Sequence, residues 1–542
     1  MPPGRQSMAS DSGGPPSVAR RPALGRGRRT CVRRQPERGV LQRVVREHLE
    51  TFLAEARLRS GGAGLPRFVE RELRAFLGCG VMTSGFARFR CGGCAREILV
   101  AFSCKGRGFC PACCGRRMAA LAAHLADDVL GDLPVRQWVL TLPHRLRYAL
   151  AYDPPLCRAV LGVFVRALLA FHRRRARARG LVGRGGAVTA IQRCGSALNT
   201  NVHFHTLVAE GVFVTAPDGA ARFVPAGRPP TDLEVGRLLA AVRRRIMRLV
   251  QRRGLALAEA HDEAAATDRL ALEEPALAAV AGASVLGRVA TGPRAGHLVL
   301  RLGADATAPV VSAAGPRHAH REGFDLHANT AVRAGDRRRL EHLCRYVLRP
   351  PVAQEALEVT AEGRVLLRLR RPWRDGTRAI RFEPSELLER LAALVPRPRA
   401  HLLVYHGAFA ARGCCRAAKA AARSAAVSPP PAPADPAPGA RSDPPPPPPS
   451  TVPDGTGTAP AGARGPPGGA GRPRHVAWAE LLRRTFGLDV LACPDCGGRL
   501  RLVATIADPR VIARILAHLG LPLEPPCPRP PRQPSWLSAD AN

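Results

Sequence analysis

Three groups of residues have the types and spacings that chemistry requires. The first is a set of thiols: Cys91-Gly-Gly-Cys94, fifteen intervening residues, then Cys110-Pro-Ala-Cys113. Each Cys-x-x-Cys pair can sit on a tight knuckle, and two knuckles complete a sulfur tetrahedron with no open position, which suits a structural zinc and not a water-activating one. Cys79, Cys104 and Cys114 are surplus and leave room for an exchanged ligand. Arg88, Arg90, Arg96, Lys105, Arg107, Arg116 and Arg117 surround these thiols and could meet phosphates or form a solvated face. A further Cys493-x-x-Cys496 is half a site, to be completed by Cys527 and His518, to be completed by a second subunit, or to hold no metal at all.

The second group is Asn201-Val202-His203-Phe204-His205, in a strand-like stretch. Residues two apart on a strand share one face, so His203 and His205 point together while Phe204 turns to the core. That is the arrangement of a two-imidazole metal site, and equally of two polar-face histidines. The third group is a tyrosine. Asp336 can cap a helix whose apolar face is Leu340, Leu343, Cys344, Val347 and Leu348, with Pro350-Pro351 to end it. Tyr346 lies off that stripe, near His342 and Arg349. A hydroxyl placed there can attack a phosphodiester held by Arg345 and Arg349 beside a histidine-bound cation.

These residues need scaffolding. The chain divides by composition into a basic Pro/Gly/Arg arm (1–38), a cysteine-rich segment (39–120), a long stretch of alternating helix and strand patterns (121–420), a Pro/Gly-rich linker (421–474) and a small terminal module (475–542). In that module 478–486 reads as a short helix, and Asp508-Pro509 opens a second one closed by Gly520. Tyr148 and Tyr152 precede the histidine strand, with Asp-Pro-Pro following, and read as packing residues. Tyr405, in a strand-like run, remains a rival nucleophile.

Lys and Arg number 82 against 43 Asp and Glu, a formal net charge of +39. Such an excess calls for a polyanionic partner, nucleic acid foremost. Only Lys105 and Lys419 are lysines and neither follows a glycine, so a Walker A loop is excluded and no nucleotide cofactor is expected. The first residues, MPPGRQSMASDSGG, have no apolar signal core, and the most apolar stretch, 156–171, is broken by Arg158 and Arg166. A cytoplasmic protein without membrane partners is expected, in which cysteines serve metals or packing and not disulfides.

With these motifs in order, the sequence resembles the rolling-circle transposases of bacterial insertion sequences, the insertion-sequence-91-like group of His-hydrophobe-His (HUH) single-strand nucleases. The resemblance rests on Phe102 to Pro111, Gln137-Trp138-Val139-Leu140-Thr141-Leu142-Pro143, Gln192-Arg193, Asn201 to His205, Leu343-Cys344-Arg345-Tyr346, Arg349-Pro350-Pro351, Arg371 to Thr377 and Cys493 to Gly498. It covers most of the chain outside the arm and linker.

The resemblance implies an α+β fold: an antiparallel-sheet HUH nuclease domain preceded by a zinc ribbon, with the histidines on a central strand and the tyrosine on a nearby helix. It implies DNA transposition by nicking and rejoining single-stranded DNA through a 5′-phosphotyrosine, with no ATP required. No second tyrosine sits one turn from Tyr346, so the chain looks like a one-tyrosine member. A hard cation, Mg²⁺ or Mn²⁺, is expected at His203 and His205, because the site must leave positions open for phosphate oxygens. A third ligand is then needed, with Gln192 as first choice and His327 as runner-up. A plasmid-type replication initiator or relaxase would use the same chemistry, and a non-catalytic zinc-dependent DNA-binding protein is the alternative of a different class. Homo-oligomerisation remains open.

Overall fold

The computed structural model describes residues 35–217, 219–255, 268–305, 315–410, 478–486 and 489–532. The expected linker and nearly all of the expected arm lie outside the described residues. What is described is a mixture of helices and antiparallel sheets.

The cysteine-rich part opens with α1 (Val40–Arg59) and α2 (Arg67–Leu77), continues with the hairpin β1 (Phe86–Cys91) and β2 (Glu97–Ala101), and ends in α3 (Pro111–His124), which runs on as a π turn over Leu125–Leu130. Leu41, Val44, Val45, Leu49, Phe52, Leu53 and Ala56 recur at three- and four-residue steps along α1, which forces it to bury one stripe.

The central part follows in chain order as β3 (Val135–Thr141), α4 (His144–Tyr152), α5 (Pro154–Arg177), β4 (Gly186–Cys194), β5 (Thr200–Ala209), the hairpin β6 (Gly211–Thr215) and β7 (Ala221–Pro225), and α6 (Asp232–Arg252). Then come α7 (Arg269–Glu273), α8 (Pro275–Leu286), β8 (Leu300–Leu302), β9 (His318–Arg321), β10 (Phe324–His327), β11 (Ala331–Val332) and α9 (Arg337–Val347). β12 (Leu357–Val359), β13 (Val365–Arg368), β14 (Ala379–Phe382), α10 (Pro384–Leu394) and β15 (Leu403–Gly407) complete it. The terminal module contributes α11 (Trp478–Phe486), β16 (Leu500–Ile506) and α12 (Pro509–His518), with both helices where the sequence predicts them.

The main sheet has the order β15-β4-β5-β3-β10-β9, with β11 also on β3, and every pairing is antiparallel. β5 is therefore interior and both of its faces are covered. On one face, Val202, Phe204 and Val208 join the core formed with α4 and α5, where Trp138 meets Phe171 edge-on at 5.8 Å. On the other, Val188, Ala190 and Leu207 pack beneath Leu340, Leu343, Cys344 and Val347 of α9 and the π turn. The strand alternation thus puts His203, His205 and Leu207 on the α9 face.

α5 is long and apolar enough to cross a membrane by length and composition, but most of its apolar stretch is buried inside the protein. It is capped by Asp153, whose carboxylate accepts from Leu156 N–H, and Pro154 starts it.

One core position makes stability depend on pH. His172 on α5 is fully enclosed, and its Nε2 has no partner among the described residues. Burial, then Arg175 and Arg136, push its imidazole down to about 3. The folded value lies below the unfolded one, so the unfolded chain binds the extra proton and stability falls as pH drops below about 6.5. This one group should cost about 2 kcal/mol between pH 7 and pH 5. Urea midpoints of the native chain and of His172→Phe at those two pH values check it: the native protein should lose more than the variant, and equal losses would exonerate His172.

Candidate active site and metal centres

The histidine strand, the neighbouring β4 and the end of α9 meet at one place. His203 lies directly across from Gln192 in the β4–β5 register and from Thr141 in the β3–β5 register. His203 and His205 rings are 4.9 Å apart by centroid, and the ring of Tyr346 stands edge-on to His205 at 6.0 Å. The guanidinium of Arg349 sits over the Tyr346 ring at 5.0 Å. Gln192 Nε2 donates to the Val347 carbonyl at 2.7 Å, which ties the last turn of α9 to the strand beside the histidines.

Local sequence explains this placement. Asp336 caps α9 by accepting from Arg339 N–H, and the buried stripe of Leu340, Leu343, Cys344 and Val347 fixes the helix rotation. Tyr346 is left 40% exposed, at the rim and not in the core.

Both imidazoles are held neutral. Burial lowers His203, helped by Arg147 and Arg349, and pushes His205 down to about 3 with further contributions from His203 and Arg349. His203 Nδ1 donates to the Asn201 carbonyl at 2.8 Å, and Gln137 lies 2.6 Å from His205 Nδ1. The Nδ1 atoms are therefore engaged and the Nε2 atoms are the ones left for a ligand.

The other sequence candidates fall elsewhere. His327 is in the same cross-strand row as His205, but Val139 on β3 stands between them and its ring neighbour is His318 at 6.2 Å. Tyr405 is on the edge strand β15, paired with Val188 and edge-on to His124 at 6.4 Å, and burial raises its hydroxyl. Tyr148 donates to Asp268 at 2.6 Å and Tyr152 to the Ala393 carbonyl at 2.8 Å. Arg345 faces away from Tyr346, donating to the Thr485 carbonyl at 3.1 Å and pairing with Glu341 at 3.7 Å.

Sequence reasoning missed Gln137 and Arg147. Gln137 had a signal, since it opens the Gln137–Pro143 run that carries the resemblance, and the fold sets it on β3 opposite Leu207, one same-face step from His205. Arg147, which donates to the Leu142 carbonyl at 2.8 Å and reaches His203 by charge, had none.

The thiols require a correction. Cys91, Cys94, Cys110 and Cys113 do not share one centre: Cys110 and Cys113 gather with Cys79 and Cys104, while Cys91 and Cys94 gather with Cys493 and Cys496. The reason is topological. β1 and β2 form a hairpin that turns the first pair away from α3, which carries the second, and the lone Cys79 and Cys104 fill the gap. Cys527 and His518 are in neither group.

In the first group Cys79 Sγ lies 3.5 Å from Cys110 and 3.8 Å from Cys113, and Cys104 lies 3.5 Å from Cys113. A zinc–sulfur bond of about 2.3 Å gives a tetrahedral edge of about 3.8 Å, so the donors fit. Gly106 N–H points at Cys104 Sγ at 3.4 Å, and Lys105 between them takes a positive φ of 57°, as a metal knuckle requires. Cys114 stays outside, a buried thiol pushed up to about 12.

The expected phosphate-facing cations are partly consumed. Arg88 forks onto Glu97 at 2.9 and 2.6 Å, Arg96 pairs with Asp495, and Arg107 donates to the Ala400 carbonyl. Arg90, Lys105 and Arg116 remain exposed.

Comparison with known families matches two segments of this chain. Residues 44–142 match a family described as "Transposase zinc-binding domain", of the insertion-sequence-91 kind, and residues 186–418 match one described as "Putative transposase". Together the two matches make the chain similar to an insertion-sequence-91-like transposase, a DNA-acting class, and the cysteine clusters have donor sets suited to zinc. No curated protein and no solved structure matches it.

Proposed function

We propose that this chain is a metal-dependent tyrosine transposase that cuts and rejoins single-stranded DNA by rolling-circle chemistry, on an HUH-type domain over about 121–420. The observation that supports it most is the convergence of an exposed tyrosine, two neutral imidazoles and the Arg349 guanidinium at one rim of the main sheet.

In this reading Nε2 of His203 and His205, with the Gln192 carboxamide oxygen, would hold Mg²⁺ or Mn²⁺. When bound, the cation polarises the scissile phosphate. Gln137, with its oxygen turned to His205, accepts a hydrogen bond from Nδ1–H and fixes the tautomer. Arg349 and Arg147 offset phosphate charge. Tyr346 Oη attacks phosphorus and gives its proton to solvent, the P–O3′ bond breaks with its electron pair on O3′, and O3′ takes a proton from solvent, leaving a 3′ hydroxyl and a 5′-phosphotyrosine. The ester bond count is unchanged, so an incoming 3′ hydroxyl can reverse the step and restore Tyr346 without ATP.

A labelled oligonucleotide bearing an element end tests this. Single-stranded substrate with Mg²⁺ should yield a protein adduct resistant to denaturing electrophoresis, chelation should prevent it, and the duplex should yield little. A chain that binds such DNA but never forms an adduct would be the non-catalytic regulator instead.

A further inference from the structure

The second thiol cluster has a composition that neither family match accounts for. The zinc-binding match ends at residue 142 and the transposase match at 418, so Cys493 and Cys496 lie outside both. The two halves of the cluster are 399 to 405 residues apart in sequence.

Their geometry is that of a built site. Cys91 Sγ lies 3.5 Å from Cys496 and Cys94 lies 3.6 Å from Cys493, near the tetrahedral edge of about 3.8 Å. Both sides form knuckles. Gly93 N–H points at Cys91 Sγ and Gly498 N–H at Cys496 Sγ, each at 3.4 Å, while Ala95 and Gly497, which follow Cys94 and Cys496, have φ of 58° and 72°. A Cβ at Gly498 would lie 3.1 Å from Cys91 Sγ, so glycine permits the approach. β16 adds to β1 as an antiparallel strand, with Cys91 opposite Leu500, and Arg96 pairs with Asp495 between the knuckles.

The apolar support is thin: Cys91, Cys493 and Leu500 form one small buried group and Met82, Phe86, Ile506, Ile512 and Leu516 another. So small a core needs a further cross-link to hold its shape. A zinc tetrathiolate supplies such a cross-link, because its binding free energy becomes folding free energy.

The same terminal region also touches the tyrosine helix. Arg484 on α11 donates to Glu341 of α9 at 2.8 Å and to both carboxylate oxygens of Asp127 in the π turn, one of them at 3.0 Å. Asp127 in turn pairs with Arg337 at the start of α9, and Arg345 reaches across to the Thr485 carbonyl.

We propose that Cys91, Cys94, Cys493 and Cys496 hold a second structural zinc, independent of the first, which latches the terminal module onto β1 so that α11 clamps the helix carrying Tyr346. Arg484 is thereby a positioning residue for α9. The latch stands on geometry alone, and only the clamp's catalytic purpose rests on the proposed function.

The test counts zinc and measures hydrogen exchange in the full-length chain. The native protein should hold two zinc ions. Cys493→Ser with Cys496→Ser should hold one, its retained ion reporting that the first site still folds, and exchange should quicken at least about tenfold in both 500–506 and 337–347. Arg484→Ala should keep two ions and quicken exchange in 337–347 but not in 500–506. One zinc in the native chain, or loss of both ions in the double variant, would overturn the independent second site. Unchanged exchange in 337–347 in both variants would overturn the clamp. Neither readout involves cleavage, so failure of the strand-transfer reading would leave these results in place.

Discussion

Tyr346→Phe removes the covalent protein–DNA adduct while leaving affinity for the single-stranded end nearly unchanged. The lost atom is the proposed attacking hydroxyl, and loss of a nucleophile costs on the order of a thousandfold or more in rate. Binding should survive because the ring remains: Phe keeps the edge contact with His205 and the face under Arg349, and at 40% exposure the site has no core packing to lose. Adduct formation by gel and affinity by filter binding separate the two effects. Tyr405→Phe is the control. Its hydroxyl is raised by burial on an edge strand, so it should form adduct normally. An adduct that persists in Tyr346→Phe and disappears in Tyr405→Phe would transfer the role to Tyr405.

His203→Ala with His205→Ala should eliminate the response of cleavage to added Mg²⁺ or Mn²⁺. Loss of the cation's charge stabilisation is worth several kcal/mol, or about 10² to 10⁴ in rate. The variant should stay folded, because the neighbours Val202 and Phe204 that build the core on the opposite face are untouched. The two imidazoles are already held neutral by burial, so truncation strands no charge. Gln137→Ala should give a milder version, weaker metal response with cleavage retained at saturating metal, since it orients His205 without binding the ion. Metal-stimulated cleavage by the double variant at the native rate would remove the pair from the mechanism.

What was legible in the sequence was what local periodicity encodes. The two-residue alternation of β5 put His203 and His205 on one face, and the one-face spacing of Leu340, Leu343, Cys344 and Val347 put Tyr346 off the core. Asp336 as cap and the helix at 509–518 followed from the same kind of signal, whereas the antiparallel α+β character was what the family resemblance implied. That Gln192 stands beside His203 depends on the β4–β5 register, which two adjacent strands make a natural guess.

The partition of the cysteines was not legible. Each Cys-x-x-Cys spacing announces a knuckle but not its partner, and the nearest pair in sequence is the obvious choice. Here the partner of Cys91 and Cys94 lies some four hundred residues away and is brought in by β16 pairing on β1, a non-local contact with no local trace. Cys79 and Cys104 each stand alone, without a second thiol at knuckle spacing, and only the fold of β1, β2 and α3 around them gathers them with Cys110 and Cys113. The surrounding cations allowed two readings in the sequence, and the fold divides them: Arg88, Arg96 and Arg107 are engaged by Glu97, Asp495 and the Ala400 carbonyl, while Arg90, Lys105 and Arg116 stay exposed.

The most direct measurement is the identity of the residue that carries the nucleotide. The full-length protein, incubated with Mg²⁺ and a single-stranded oligonucleotide of an element end, is digested with nuclease and protease, and the peptides are sequenced by mass spectrometry. The account predicts a nucleotide mass on the peptide containing Tyr346, joined through its phenolic oxygen to a 5′ phosphate. A nucleotide on Tyr405, Tyr148 or Tyr152, or cleaved DNA with no peptide modified, would contradict it.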